Sequence, residues 1–185
     1  AAAKLTGKNE YGLSYGLLSA ITTETDSSTW HSYFDPDSIY LPYKYPQRYF
    51  ISRVKQDILS GNSFLGLMTT SSMDDSAHIV SIDGMVNLLD NQIGVDGQIV
   101  MSSKKKMGML GNITYSPLGF FSTWLDFQNY ETGLDLNHLG YLWRDNYSQL
   151  RVGLKFQNQE VWGFIRSSAV IVEWDIEENS DGLNL

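Results

Sequence analysis

The sequence has no cysteine, only four prolines in 185 residues, and little charge. Without cysteine there can be no disulfide scaffold, thiolate metal site or cysteine nucleophile. Charged residues make up 18%, below the ~25% usual in soluble domains. Positive charge is the scarcer sign: the net charge is −8. A chain without a basic field is ill suited to clamping phosphate backbones, so nucleic acid is not expected as a partner. The one basic run, Lys104-Lys105-Lys106, lies between strand-like segments and is expected at a solvated loop tip. No stretch approaches the ~20 apolar residues of a membrane-crossing helix.

Chemistry-bearing motifs are missing too. His31, His78 and His138 have no spacing that would join them in a zinc site, so no metal is expected. There is no Gly-x-Ser-x-Gly elbow, phosphate-binding loop or dinucleotide fingerprint. Carboxylates are paired at Asp35/Asp37, Asp74/Asp75 and Glu177/Glu178. Paired carboxylates are the machinery of glycoside hydrolysis, but local pairs on polar segments suit turn tips better. No catalytic residue and no cofactor is therefore assigned.

What the chain does have is aromatics (11 Tyr, 8 Phe, 5 Trp), 16 glycines and strict alternation. Leu150, Val152, Leu154 and Phe156 fall on one face of an extended segment, with Gln149, Arg151, Gly153 and Lys155 on the other. Period two over such a length is the signature of a strand, because a helix would scatter the apolar set around its circumference. The pattern recurs at Leu13–Ile21, Val80–Leu88, Ile93–Ser102 and Met107–Ser116, and less cleanly at 49–57, 63–71, 119–129 and 161–174. These segments match tilted membrane-spanning strands better than the five or six residues common in soluble sheets. Short polar turns at 59–62, 89–92, 116–119 and 157–160 are expected to alternate with longer links at 23–46, 72–77, 103–106 and 130–146. The strands' polar face reads as small and mostly uncharged. Tyr49, Tyr115, Trp124, Tyr130, Trp162 and Trp174, near strand ends, suit interfacial girdles.

Three stretches carry a resemblance: Ala3-Lys4-Leu5-Thr6-Gly7-Lys8 with Tyr11–Leu18, Gln47–Asp57, and Leu136–Tyr147 with its Leu-Gly-Tyr-Leu-Trp-Arg-Asp-Asn core. Together they resemble the uncharacterised C-terminal barrel region of large bacterial envelope proteins, which carry a family 9-like carbohydrate-binding domain ahead of the barrel. The resemblance implies an outer-membrane barrel of unknown function. It also implies carbohydrate as a partner only through that other domain, with no sugar-binding or catalytic residue to carry over. Because the chain opens Ala1-Ala2-Ala3-Lys4 without Met, it is read as a section of a longer polypeptide.

The expectation is therefore an all-β, antiparallel meander over residues 1–185: a section of an outer-membrane-type β-barrel of about eight to ten strands. Its role would be structural, a pore or a surface anchor in the bacterial outer membrane, with lipid as its partner. Asp83, Asp96, Gln98, Gln149, Arg151 and Lys155 are the expected lumen-lining residues, and Arg53, Arg144 and Arg166 are further cations able to face acidic groups across a lumen. The 23–46 segment, with Trp30, Tyr33, Tyr40 and Tyr43, is the candidate ligand-binding loop. Two rival readings stay open: a soluble carbohydrate-binding β-sandwich using that loop, and a glycoside hydrolase-like enzyme.

Overall fold

The computed structural model describes residues 1–22, 30–32, 35–40, 46–74, 76–136, 142, 144–158, 160, 163 and 166–179. Its strands are β1 (Ala2–Lys8), β2 (Leu13–Ile21), β3 (Trp30–Ser32), β4 (Asp35–Tyr40), β5 (Arg48–Ile58), β6 (Ser63–Ser72), β7 (Ala77–Leu88), β8 (Ile93–Ser102), β9 (Met107–Leu118), β10 (Phe121–Tyr130), β11 (Tyr147–Asn158) and β12 (Ser168–Glu178). Ten of them form one antiparallel meander in the order β1-β2-β5-β6-β7-β8-β9-β10-β11-β12, and β3 and β4 pair separately inside the β2–β5 link. β1 and β12 are the two edges, and the described residues do not close the sheet.

Turn chemistry explains the tight connections. The Asn9 side chain accepts backbone N–H bonds from Tyr11 (3.0 Å) and Leu13 (2.9 Å), and Gly12 supplies the left-handed φ of +81° that reverses the chain. At the same end of the sheet, the β7–β8 link turns through three left-handed residues, Leu89, Asp90 and Asn91.

Register separates the two faces without ambiguity. Tyr15, Val54, Leu67, Ile82, Ile99 and Met109 are successive partners across β2 to β9. Val86, Val95, Ile113, Leu125, Val152 and Trp174 form a parallel row across β7 to β12. This apolar face is open: Leu65 is 58% exposed, Ile82 52% and Trp174 64%. The buried residues are mostly polar. Of the six buried polar residues described, Thr70, Ser72, Ser81, Ser102 and Gln149 lie on the opposite face and Ser63, at the start of β6, is in the apolar-face phase; the buried apolar residue among those described is Leu134. Shelter is thus on the polar side, as a sheet curled toward its polar face would give. That inverts the usual hydrophobic-in arrangement.

Several expectations need correction. The last strand is 168–178, not 161–174, so Arg166 lies in the preceding link and not within a strand. Val161, Trp162, Phe164 and Ile165 fall outside the described residues. The β9–β10 turn is 119–120 because β9 runs through Pro117 to Leu118. The links 73–76 and 103–106 are as tight as 9–12, 59–62 and 89–92 at the opposite end, so long connections on their side are confined to 22–47 and 131–146, whereas the short turn expected at 157–160 is the nine-residue link 159–167. Of the expected girdle residues, Tyr115 and Trp174 lie on the apolar face, but Tyr49, Trp124 and Tyr130 lie on the polar one. A period-two pattern gives alternation, but it does not tell which of two aromatic sets faces out.

Candidate functional site

The polar face is the candidate site. One row of register partners runs across all ten strands: Lys8, Ser14, Lys55, Gly66, Asp83, Gln98, Leu110, Gln128, Gln149 and Glu177. A second row, one step along, is Met85, Asp96, Asn112, Asp126, Arg151 and Asp175. Five of the six expected lumen residues lie in these rows, and the sixth, Lys155, lies on the same face opposite Ser122 and Ile171. The face carries more charge than the sequence suggested. Besides the expected Arg53, it gains Lys8 from β1, a strand not among those expected, and Lys55 and Asp57 from the less cleanly alternating 49–57.

The charges are stitched together across strands. Lys8 Nζ lies 2.6 Å from Asp57 Oδ2 and Lys55 Nζ 3.4 Å from Asp57 Oδ1, while Lys55 also sits 4.4 Å above the Phe64 ring. Arg53 on β5 donates to Asp83 on β7, spanning the intervening strand. Gly66 permits that reach: a Cβ there would stand 2.8 Å from Asp83 Oδ1. That same Oδ1 is buried and has no hydrogen-bond partner among the described residues. Beside it, Arg53, Phe64, Asp83, Met85, Asp96 and Gln98 line a hollow of about 330 Å³.

Toward β12 the linkage continues. Gln128 donates to Gln149, whose Nε2 donates onward to Asp175 (2.8 Å) and Glu177 (2.9 Å), and Arg151 reaches Asp175 at 3.1 Å. Ionised partners make these bonds stronger than neutral ones, and the result is a near-balanced charged surface. Among the described residues no three metal-ligating side chains converge. Glu177 and Glu178 point to opposite faces of β12, so they cannot act as a pair.

Glycine positions reveal a device that sequence reasoning missed. Tyr15 folds over Gly7, Phe127 over Gly111, Trp124 over Gly153 and Tyr130 over Gly108, each aromatic covering its own register partner. An added Cβ would meet the ring at 2.1 to 2.8 Å in all four cases. Aromatic cover of strand glycines fixes register and fills the gap a missing side chain leaves. No single-sequence signal finds these pairs, because they exist only once the strands are aligned.

The candidate ligand loop is described only in part. Trp30 and Tyr40 are register partners in the β3–β4 hairpin, at the end of the sheet that also carries the 131–146 link. Tyr33 and Tyr43 lie outside the described residues. Of the other cations, Arg53 and Arg151 are on the polar face, and Arg144 and Arg166 are in links. No family model, curated protein or solved structure matches this chain.

Proposed function

We propose that this chain forms the wall of an outer-membrane-type β-barrel in a bacterial cell envelope. Its apolar face meets lipid, and its polar face lines an aqueous lumen through which small hydrophilic solutes pass. The observation that carries this reading is the inverted burial: an uncovered apolar face across ten strands, backed by a sheltered, ion-paired polar one. Burying one such side chain is worth about 1.5–3 kcal/mol, and soluble monomers rarely expose apolar patches beyond a few hundred Å². An acyl-chain environment removes that cost. Strands of 9 to 12 residues from β2 to β12, the β3–β4 hairpin aside, tilted by ~45°, span about the ~25 Å apolar band of such barrels. Main-chain groups within lipid must be paired, and a meander sheet pairs them strand by strand.

Single-tryptophan variants test this directly. In brominated-lipid vesicles, Trp174, on the apolar face, is expected to be quenched by the acyl chains. Trp124, on the polar face, is expected to be spared by lipid and quenched by aqueous iodide. Equal lipid quenching at both, or a monodisperse protein without detergent, defeats the proposal.

A further inference from the structure

The link after β10 does not stand clear of the sheet. Glu131 clasps the start of β9 twice: its N–H donates to the Met107 carbonyl (3.1 Å), and its Oε2 accepts from the Met107 N–H (3.0 Å). Leu134 N–H then donates back to the Glu131 carbonyl (3.0 Å), and Gly133, at φ +83°, donates to Asp145 Oδ2 (2.6 Å). Lys104 Nζ lies 3.6 Å from Asp135 Oδ2. These fastenings bring Leu134, 3% exposed, onto the polar face, where its Cδ2 occupies the space a Gly108 side chain would need. Val100 and Tyr130 flank it there.

An apolar residue buried on the polar side of this sheet needs a reason. Gly108 supplies the socket, and three separate tethers from Met107, Asp145 and Lys104 supply the hold. Glu131 and Thr132, with Tyr130, Tyr147 and Glu178, line a hollow of about 470 Å³ at these strand ends.

We infer that residues 131–135 form a fixed ledge, pinned by Leu134, that narrows the lumen near one mouth and sets the size limit for hydrophilic solutes. The inference rests on the lumen reading above. Steric narrowing by an anchored segment discriminates by solute diameter and leaves the charged rows to discriminate by sign.

The test is liposome swelling with a series from mono- to tetrasaccharides, together with single-channel conductance, on the full chain. Leu134→Ser unpins the ledge from its socket. The pair Lys104→Ala with Asp145→Ala loosens it from outside without touching the sheet, so a folding failure of the first variant leaves a second arm. Heat-modifiability on gels reports folding for each. Both arms are expected to raise conductance and admit larger sugars, while Leu134→Met keeps the wild-type limit. Folded channels with an unchanged limit in both arms overturn the ledge and leave the pore reading standing. A folded, lipid-inserted wild type that passes neither ions nor sugars overturns the pore reading and the ledge together.

Discussion

Alanine at position 153 would place a methyl carbon 2.1 Å from two carbons of the Trp124 indole. Carbon atoms rest at about 3.5–4.0 Å, so the ring must withdraw by about 1.5 Å, and it is confined by its strand register opposite Gly153. Overpacking of this kind costs about 1–3 kcal/mol. Against it stands the ~0.5–1 kcal/mol gained by removing a glycine from a strand interior. The net expectation for Gly153→Ala is a destabilisation of about 1–2 kcal/mol. Gly16→Ala is the matched control on the same face, because its Cβ would meet only Thr6 Cγ2 at an ordinary 3.7 Å; it is expected to be neutral or slightly stabilising. Urea unfolding in micelles, followed by tryptophan fluorescence at constant m-value, measures both. Trp124→Leu should abolish most of the Gly153→Ala penalty in a double-mutant cycle. If the two alanine variants unfold alike, or the penalty survives removal of Trp124, the aromatic-on-glycine account of register is wrong.

Two further outcomes follow from the charges. Arg53→Met strips the partner from Asp83, whose other oxygen is already buried without a hydrogen-bond partner among the described residues. Because Arg53 is 41% exposed, solvent screening limits the loss to about 1–2 kcal/mol, still larger than that of Lys8→Met, whose pair is more exposed; the reverse order in the same unfolding assay refutes the ranking. In the 73–76 link, hydrogen bonds from the Arg48 guanidinium and backbone hold the Asp74 carboxyl below the usual carboxylate range. A lowered carboxylate contributes stability above its unfolded value of ~3.9 and loses it as pH falls through the lower folded value. A carboxyl NMR titration should therefore place the Asp74 midpoint below that value and return it toward normal in Arg48→Ala; a midpoint at or above the unfolded value contradicts the pairing.

Sequence alternation made most strands legible because one face needed apolar residues at every second position, as in Leu150, Val152, Leu154 and Phe156. The method failed where that demand lapses. In the sequence Trp162 and Phe164 continue the phase of Val170 and Val172, so alternation alone starts the last strand before Ser168. The six expected polar-face residues share one face because their strands had clean phase. The Arg53–Asp83 bridge was not legible, since it depends on Gly66 leaving a gap between two strands that only register places side by side. The ledge was equally hidden: nothing marks Leu134 as apolar-in except the socket at Gly108.

The meander order bears on assembly. Each strand of the ten pairs with its neighbours in sequence, the β3–β4 hairpin excepted, so the sheet can grow one hairpin at a time with little chain to gather at each step. Loop-closure entropy rises by only ~0.6 kcal/mol per doubling of length. The 22–47 link is between two and three doublings longer than 73–76, which adds about 1.5 kcal/mol at the β2–β5 junction on that scale. The β3–β4 hairpin shortens the free chain and recovers part of this. Growth from β12 back to β5 crosses mostly tight links, with 131–146 the longest, leaving the β1–β2 pair to join across the widest gap. The order in which strands acquire amide-exchange protection during folding should carry that imprint, with β1 and β2 last.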